Sequence, residues 1–178
     1  MGVHKRPSVF TRLKDRPYTR ISYKVPSKCY VKGAPPVQTR QFVDGNASGQ
    51  FEYEVALVAK RPCQVRDKCL ETVRVLAKHY LEKTVSSSNY MLRIWPYPHH
   101  VLREHKTPTV ATKAERISKG MRLAFGRPVG RAARVYDGQK VLSVFTTEKY
   151  LEEVKNVLRR IKAKLPSSWY IVVNKLSS

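Results

Sequence analysis

The sequence of 178 residues has few acidic side chains, few cysteines and no long apolar run. No run approaches the ~20 apolar residues of a membrane-spanning helix, so an integral membrane protein is not expected. The basic N-terminus lacks an apolar segment, so no secretory signal is expected either. Three cysteines are an odd number at irregular spacing. They argue against a disulfide framework and for a reducing compartment.

The shortage of acid leaves a large positive charge. Thirteen Asp and Glu face 35 Lys and Arg, which gives a net charge of +22 at pH 7. Such an excess opposes compaction by self-repulsion and indicates a polyanionic partner. An anionic membrane surface would need a basic amphipathic helix or a polybasic cluster beside an anchor. Here the cations extend from residue 5 to residue 175, which favours nucleic acid.

Motifs for nucleotide binding, metal binding and catalysis are also missing. Gly120 and Gly126 are separated by five residues and followed by Arg-Pro, which is not a P-loop, and no G-x-G-x-x-G occurs. Cys63 and Cys69 have five residues between them, which fits no common zinc-ligand pair. No clustered acid–base pair is visible. We expect no cofactor, no metal and no enzyme, and a nuclease without metal stays open at this point.

Residues 1–45 form a segment of distinct composition. They contain five prolines, ten Lys and Arg, two acidic residues and five aromatic residues. Prolines at this density prevent a long helix. A disordered tail is one interpretation, but the aromatic residues favour an extended arm that orders against RNA. A first strand is predicted at 37–43. The arm's candidate RNA-binding cations are Lys5, Arg6, Arg12, Lys14, Arg16 and Arg20.

Residues 46–178 have the pattern of one α+β domain. Alternation over 51–59 predicts a half-buried strand with Glu52 and Glu54 on the outer face. Apolar residues at helical spacing predict a helix over 67–84, and a further strand is predicted at 90–95.

The second half of the domain begins with an irregular loop at 96–117, where prolines interrupt any periodicity. Asp137-Gly138 between two β-like runs predicts a hairpin. Thr147 is the expected N-cap of a second helix that ends before Pro166, and a closing strand follows. Hairpin and long-loop connections favour an α+β domain over a doubly wound one.

The segment 118–135 combines three glycines with five cations and no acid. Turn formation explains the glycines, but it does not explain why every charge is positive. Glycines let a backbone approach phosphates closely, so this segment is predicted to be a nucleic-acid surface. Trp95 and Tyr97 could stack on bases, but packing beneath the loop is the favoured interpretation. The cations of the segment are Lys119, Arg122, Arg127, Arg131 and Arg134.

Two stretches carry a family resemblance. They are NYMLRIWPYPHHVLREHK (89–106) and KAERISKGMRLAFGRPVGRAARV (113–135). Together they resemble the archaeal and eukaryotic L-ten-e family of large-subunit ribosomal proteins, which corresponds to bacterial L-sixteen. Further similar stretches at 16–20, 31–57 and 160–166 extend the resemblance over almost the whole chain. The motif G-M-R-x-A-F-G-[KR]-P at 120–128 is highly specific.

The resemblance implies an α+β core in which two helices pack on a mostly antiparallel sheet. It also implies a structural protein of the large subunit in the cytoplasmic ribosome. It implies binding to large-subunit rRNA at the base of the central protuberance, near 5S rRNA, as one copy among neighbouring ribosomal proteins. The loop after PYPHHV would approach tRNA near the peptidyl-transferase region. The residues that match the family's rRNA-contacting motif are Met121, Arg122, Phe125, Gly126 and Arg127. The tRNA-proximal loop residues are Arg103, His105, Lys106 and Lys113.

The loop departs from the family pattern. Many members have a Gly/Ala-rich loop that begins with Asn-Lys-Met, whereas this chain has HKTPTVATKAER, with His105 in place of Asn. Two other functions remain to be distinguished. A regulator of DNA or mRNA would need a helix with exposed base-reading side chains, and an RNA-processing enzyme would need an acid–base cluster.

Overall fold

A computed structural model describes residues 7–14, 17, 19, 21–22, 24–29, 31–105 and 125–176. Within these residues there are two α-helices and eight β-strands. The helices are α1 (Asp67–Thr84) and α2 (Leu151–Ile161). The strands are β1 (Val43–Gly45), β2 (Tyr53–Ala59), β3 (Cys63–Arg66), β4 (Tyr90–Ile94), β5 (His100–Glu104), β6 (Arg127–Val135), β7 (Lys140–Thr146) and β8 (Trp169–Lys175).

The strands form two antiparallel sheets. The larger has the order β1-β4-β7-β2-β8, and the smaller has the order β3-β6-β5. Helix α1 contacts β4 of the larger sheet, β3 and β6 of the smaller sheet, and α2, which itself packs on β2. The apolar residues of both helices therefore share one core with both sheets. The predicted α+β fold, an antiparallel arrangement with two packed helices, is confirmed.

The two predicted helices are present with small changes at their ends. Helix α1 has the predicted bounds, and it buries Leu70, Val73 and Leu81 at helical spacing. Thr147 precedes a short 3-10 turn, Glu148–Tyr150, and makes no side-chain capping hydrogen bond. Thr147 therefore occupies the predicted N-cap position of this helical segment, whose first turn is 3-10 and leads directly into α2, but its side chain does not cap the turn. No helix in the described ranges is long and apolar enough to cross a bilayer.

The predicted hairpin at Asp137-Gly138 is wrong. The turn exists, and Gly138 has a φ of 72°. However, β6 joins the smaller sheet and β7 joins the larger one. The turn is attached to β2 instead, since Gly138 N donates to Ala59 O at 3.0 Å and Ala59 N donates to Gln139 O at 3.1 Å. A turn signal predicts a reversal of the chain, but it does not specify the partner of either strand.

Three other assignments need correction. Residues 37–42 are irregular, and only Val43–Gly45 form a strand at the edge of the larger sheet. The predicted loop 96–117 contains β5 at 100–104, and residues 106–117 lie outside the described ranges. The four-residue strand β3, immediately before α1, was not predicted. These strands are three to five residues long, which leaves too few residues for a period to stand out.

Strand β2 is buried on both faces, so the prediction of a half-buried strand is wrong. Ala56 is fully buried and Glu54 is only 4% exposed. Burial raises the pKa of Glu54, but hydrogen bonds from Lys140, Ser143 and Asn174 outweigh it, and the net pKa is lowered. The donor–acceptor distances are 2.6 Å from Lys140 Nζ, 2.8 Å from Ser143 Oγ and 3.3 Å from Asn174 Nδ2. The carboxylate therefore joins β2, β7 and β8.

We expect Glu54→Gln to lower the free energy of unfolding at neutral pH by about 2 kcal/mol, because a buried charge-assisted hydrogen-bond network is lost. The folded-state pKa of Glu54 is lowered. The extra stability of the wild type over Glu54→Gln is therefore present above the unfolded-state pKa and is lost as pH falls through the folded-state pKa. Urea unfolding from pH 7 to pH 3 measures both effects. Glu152→Gln is the control, since Glu152 is exposed and pairs only with Lys155 and its helix neighbours. A wild-type advantage over Glu54→Gln that does not shrink in acid would contradict the prediction.

Candidate nucleic-acid interface

Two of the predicted RNA-binding cations share one face of the smaller sheet because of a bulge. Leu102 pairs with Gly130, but Arg103 pairs with Pro128, so β6 contains one extra residue. An extra residue inverts the faces of the side chains that follow it. Arg127 and Arg134 are seven positions apart and would otherwise point to opposite faces. The bulge brings both to the face opposite the core, which we call the outer face.

Arg131 lies on the other side of the same strand. It pairs with Val101 and shares a face with Ala133 and Val135, which belong to the core. Its exposed fraction is 7%. Arg131 is therefore packed at the margin of the core, and its contact with phosphate stays a prediction.

Gln64 fastens the N-terminal segment to the smaller sheet. It lies on the outer face opposite Arg134, and it is 5% exposed. Its backbone N donates to Thr11 O at 2.8 Å. Its side-chain Nε2 donates to Arg12 O at 2.8 Å and to Phe10 O at 3.3 Å. These bonds hold residues 10–12 along the edge of β3.

The N-terminal segment then crosses the smaller sheet. Arg134 of the central strand donates from Nη2 to Lys14 O at 2.6 Å. Val101 N of β5 donates to Thr19 O at 2.7 Å, and Ile21 N donates to His99 O at 3.0 Å. The described residues between 10 and 21 thus contact β3, β6 and β5 in turn. The boundary of an arm at residue 45 stays a prediction, but these residues are attached to the domain.

This crossing leaves the cationic side chains of the segment in solvent. Arg12, Lys14 and Arg127 are exposed. Arg134 is half-buried, because its guanidinium is bonded to the Lys14 carbonyl beneath the segment. The exposed cations can therefore meet phosphates without desolvating a paired charge, whereas Arg134 first serves to position the segment.

Arg103, at the base of the predicted tRNA-proximal loop, holds the returning chain. Its guanidinium lies 4.3 Å from the centre of the Phe125 ring, and Nη1 donates to Gly126 O at 2.7 Å. Gly126 has a φ of 75°, and a Cβ there would lie 2.8 Å from the Glu104 carbonyl carbon. Glycine is required by both the backbone conformation and the space. Phe125 remains 71% exposed, and His105 is half-buried.

The other predicted site residues cannot be placed. Their structural roles remain predictions. The members of the site that lie outside the described residues are Lys5, Arg6, Arg16, Arg20, Lys106, Lys113, Lys119, Met121 and Arg122.

Tyr97 and Trp95 differ in their surroundings. Tyr97 stacks on Phe42 with a centroid separation of 5.4 Å, which supports the packing interpretation. Trp95 donates from Nε1 to Ser143 Oγ at 2.7 Å, and the Arg93 guanidinium lies 4.2 Å from its ring centre. Trp95 is 40% exposed. One face of its ring is therefore engaged within the protein.

Gln64, Thr19 and His100 are the interface residues that sequence reasoning missed. Each is polar and lies in or against an edge strand that was not predicted or was predicted as loop. The composition of a short polar stretch does not indicate which backbone groups its side chains will contact in the fold. The relevant partners are 36 to 82 positions away in sequence.

Metal and nucleophile candidates do not cluster in the part of the chain that the structure describes. No group of three or more His, Cys, Asp or Glu residues there is arranged to hold a metal ion. Burial raises the pKa of the Cys63 thiol to about 11, so it stays protonated and is a poor nucleophile.

Comparisons with known proteins identify the family of this chain. Residues 14–172 match the family described as ribosomal protein L16p/L10e. A large ribosomal subunit protein uL16 of Archaeoglobus fulgidus is 44% identical over 171 residues, covering 96% of this chain and 94% of that protein. One from Thermoplasma acidophilum is 40% identical over 173 residues, covering 97% and 94%. The chain therefore belongs to the ribosomal protein L16p/L10e family.

Proposed function

We propose that this protein is a structural constituent of the large ribosomal subunit, that it binds large-subunit rRNA through the exposed cations on and beside the smaller sheet, and that it helps to position tRNA. The observation that carries the proposal is the arrangement of Arg12, Lys14 and Arg127. All three are exposed, and the N-terminal crossing and the bulge in β6 set their positions. The family of the chain and the names of its relatives support a ribosomal role.

The electrostatics of this surface differ from those beside α1. On the α1 side, Asp44 accepts from Arg74 at 3.1 Å and from Lys78 at 3.0 Å, so those cations are balanced internally. The outer face carries Glu104 opposite Arg127, but this carboxylate is 5% exposed. A surface with exposed cations and buried acid attracts a phosphate chain. Phosphate contacts of this kind fix orientation without reading sequence.

The finer assignments come from the family resemblance. It suggests a site on large-subunit rRNA at the base of the central protuberance, near 5S rRNA and neighbouring ribosomal proteins. It also suggests that the loop between β5 and β6 reaches tRNA. Arg103 and His105 lie at its described base, while Lys106 and Lys113 lie outside the described residues. Arg103 holds Phe125 and Gly126, so we assign the tRNA contact mainly to the lysines.

The test compares assembly with translation. Tagged wild-type protein, a Lys106→Gln/Lys113→Gln variant and a Lys162→Gln/Lys164→Gln control are each produced in cells that lack the natural copy. We expect all three to comigrate with the large subunit in high salt, because the loop variant keeps the surface of the smaller sheet. Purified subunits with the loop variant should translate several-fold more slowly, since two phosphate contacts to tRNA are lost.

The outcomes separate the two parts of the proposal. A wild-type protein that leaves the subunit fraction in high salt contradicts the structural role. Loop-variant subunits that translate at the wild-type rate contradict the tRNA role alone. If the control variant, with the same change of charge at exposed positions, slows translation equally, then the effect reflects net charge and the tRNA assignment is wrong.

A further inference from the structure

A cavity of about 710 Å³ lies between the N-terminal segment and strands β5 and β6. On one side it is lined by residues of the range 17–25, including Lys24, and on the other by His100 and Arg134. Tyr97 and Tyr136 complete its aromatic walls. Small-molecule sites in proteins usually enclose about 300–1,000 Å³, so a single nucleotide fits by volume.

The charge of this cavity favours an anionic group. Lys24 and Arg134 line it, and no Asp or Glu occurs among its described lining residues. Arg134 is held in position by its Nη2 bonds to Lys14 O at 2.6 Å and to the Tyr136 hydroxyl at 3.3 Å. A guanidinium already oriented by the protein loses little further freedom when a phosphate binds.

The aromatic rings of the cavity supply surfaces for a base. Tyr136 is 54% exposed, and it stands at the end of β6. Tyr97 is fixed by stacking on Phe42 at 5.4 Å and by His99, whose ring centre lies 4.6 Å away. Tyr97 therefore supports the wall of the cavity, and the exposed ring of Tyr136 offers the stacking surface for an unpaired base.

His100 adds a polar group of defined orientation. Gln64 Nε2 donates to Phe10 O and Arg12 O, which identifies Gln64 Oε1 as the acceptor that faces His100 Nδ1. Burial lowers the pKa of His100, and the nearby Arg134 and Lys14 lower it further. The ring is therefore neutral at pH 7, with its proton on Nδ1. Its Nε2 is left as an acceptor for an N–H group on a base edge.

We propose that this cavity binds a single unpaired nucleotide of RNA, with Arg134 and Lys24 at its phosphate and Tyr136 and His100 at its base. The inference rests on the proposed rRNA-binding function and deepens it. Single-stranded nucleotides are the usual targets of base-directed RNA recognition, because their faces and edges are free. The exposed cations would then bind phosphates over a wide surface, and the cavity would fix one base.

Isolated nucleotides provide the first test. Ring carbons of Tyr and His are followed by NMR while the full chain is titrated with AMP, CMP, GMP, UMP or ribose 5-phosphate. We expect nucleotides to shift the ring signals of Tyr136 and His100, and ribose 5-phosphate to bind about tenfold more weakly, because it has no base to stack on the aromatic ring. Tyr136→Ala should abolish that preference, whereas Tyr170→Ala, which removes a similarly exposed tyrosine from β8, should not.

Assembled subunits provide the second test. Tyr136→p-azidophenylalanine places a photoreactive group at the mouth of the cavity, and we expect its adducts to be with RNA. Adducts with a ribosomal protein, or equal shifts by ribose 5-phosphate and nucleotides, would overturn the nucleotide site. Comigration with the subunit would persist in either case. Loss of comigration by the wild-type protein would instead refute the proposed function, so the two failures are distinguishable.

Discussion

Replacing Arg12, Lys14 and Arg127 together with glutamine should weaken binding to large-subunit rRNA roughly a hundredfold at about 0.15 M salt. Each phosphate contact contributes about 0.7–0.9 to the slope of log K against log salt, so three lost contacts should reduce the slope by about 2 to 3. All three side chains are exposed, and only the backbones of Arg12 and Lys14 are bonded to the sheet. The variant should therefore keep the wild-type free energy of unfolding within about 0.5 kcal/mol.

Filter binding from 0.05 to 0.5 M salt measures the slope, and urea unfolding measures stability. A variant with Lys149, Lys162 and Lys164 replaced by glutamine is the matched control. It loses the same charge from exposed positions beside α2. A similar loss of affinity in both variants would show that net charge alone determines binding. An unchanged slope in the first variant would remove these three cations from the interface.

The structure decides which cations belong in this experiment. Arg131 is 7% exposed, Arg134 supports the N-terminal segment through the Lys14 carbonyl, and Arg103 holds Phe125 and Gly126. Substituting any of them would change packing as well as charge. All five cations of residues 118–135 looked equivalent in sequence. Those that the structure describes differ in what they contact.

The parts of the fold that could be predicted are the long segments whose apolar residues recur at a regular spacing. Helix α1 spans eighteen residues, and its apolar positions recur with helical spacing, so both ends were predicted correctly. The antiparallel character of the sheet was implied by the family resemblance rather than by any connection in the sequence. The hairpin prediction was wrong because Asp137-Gly138 specifies only a turn. That turn forms backbone hydrogen bonds with Ala59 of β2, which is distant in sequence. Strand partners depend on such non-local hydrogen bonds, which composition and spacing do not encode.

The chemical character of the candidate site could be predicted from the sequence, but the positions of its side chains could not. The presence of 35 Lys and Arg against 13 Asp and Glu indicates a polyanionic partner without any structure. The face that each cation occupies depends on one extra residue in β6. A bulge has no composition signal in this strand, because Val129 fits a regular strand equally well. Sequence alone therefore placed Arg127 and Arg134 in one surface, but it could not say which other residues share it.

Gln64→Leu should detach residues 10–12 from the smaller sheet and lower the free energy of unfolding by about 2–4 kcal/mol. Leucine fills a similar volume, but it leaves Arg12 O, Phe10 O and His100 Nδ1 without their partner. Each unsatisfied buried group costs about 1–3 kcal/mol, and release of the segment into water limits that cost. Trypsin should then cleave after Arg12 and Lys14 faster than in the wild type. Urea unfolding and timed proteolysis measure the two effects.

Two further variants identify the cause. Gln38→Leu makes the same substitution at an exposed position and should leave both measurements unchanged. Gln64→Glu keeps the acceptor for His100 but loses the donor to the two carbonyl groups, so it should also release the segment. Its carboxylate should raise the lowered pKa of His100. Its deficit in stability should be smaller at pH 5 than at pH 8, because a raised folded-state pKa stabilises the folded protein at low pH and that contribution is lost as pH rises. If Gln64→Leu keeps the wild-type cleavage rate, the contacts of Thr19 and Ile21 with β5 hold the segment, and the Gln64 amide does not.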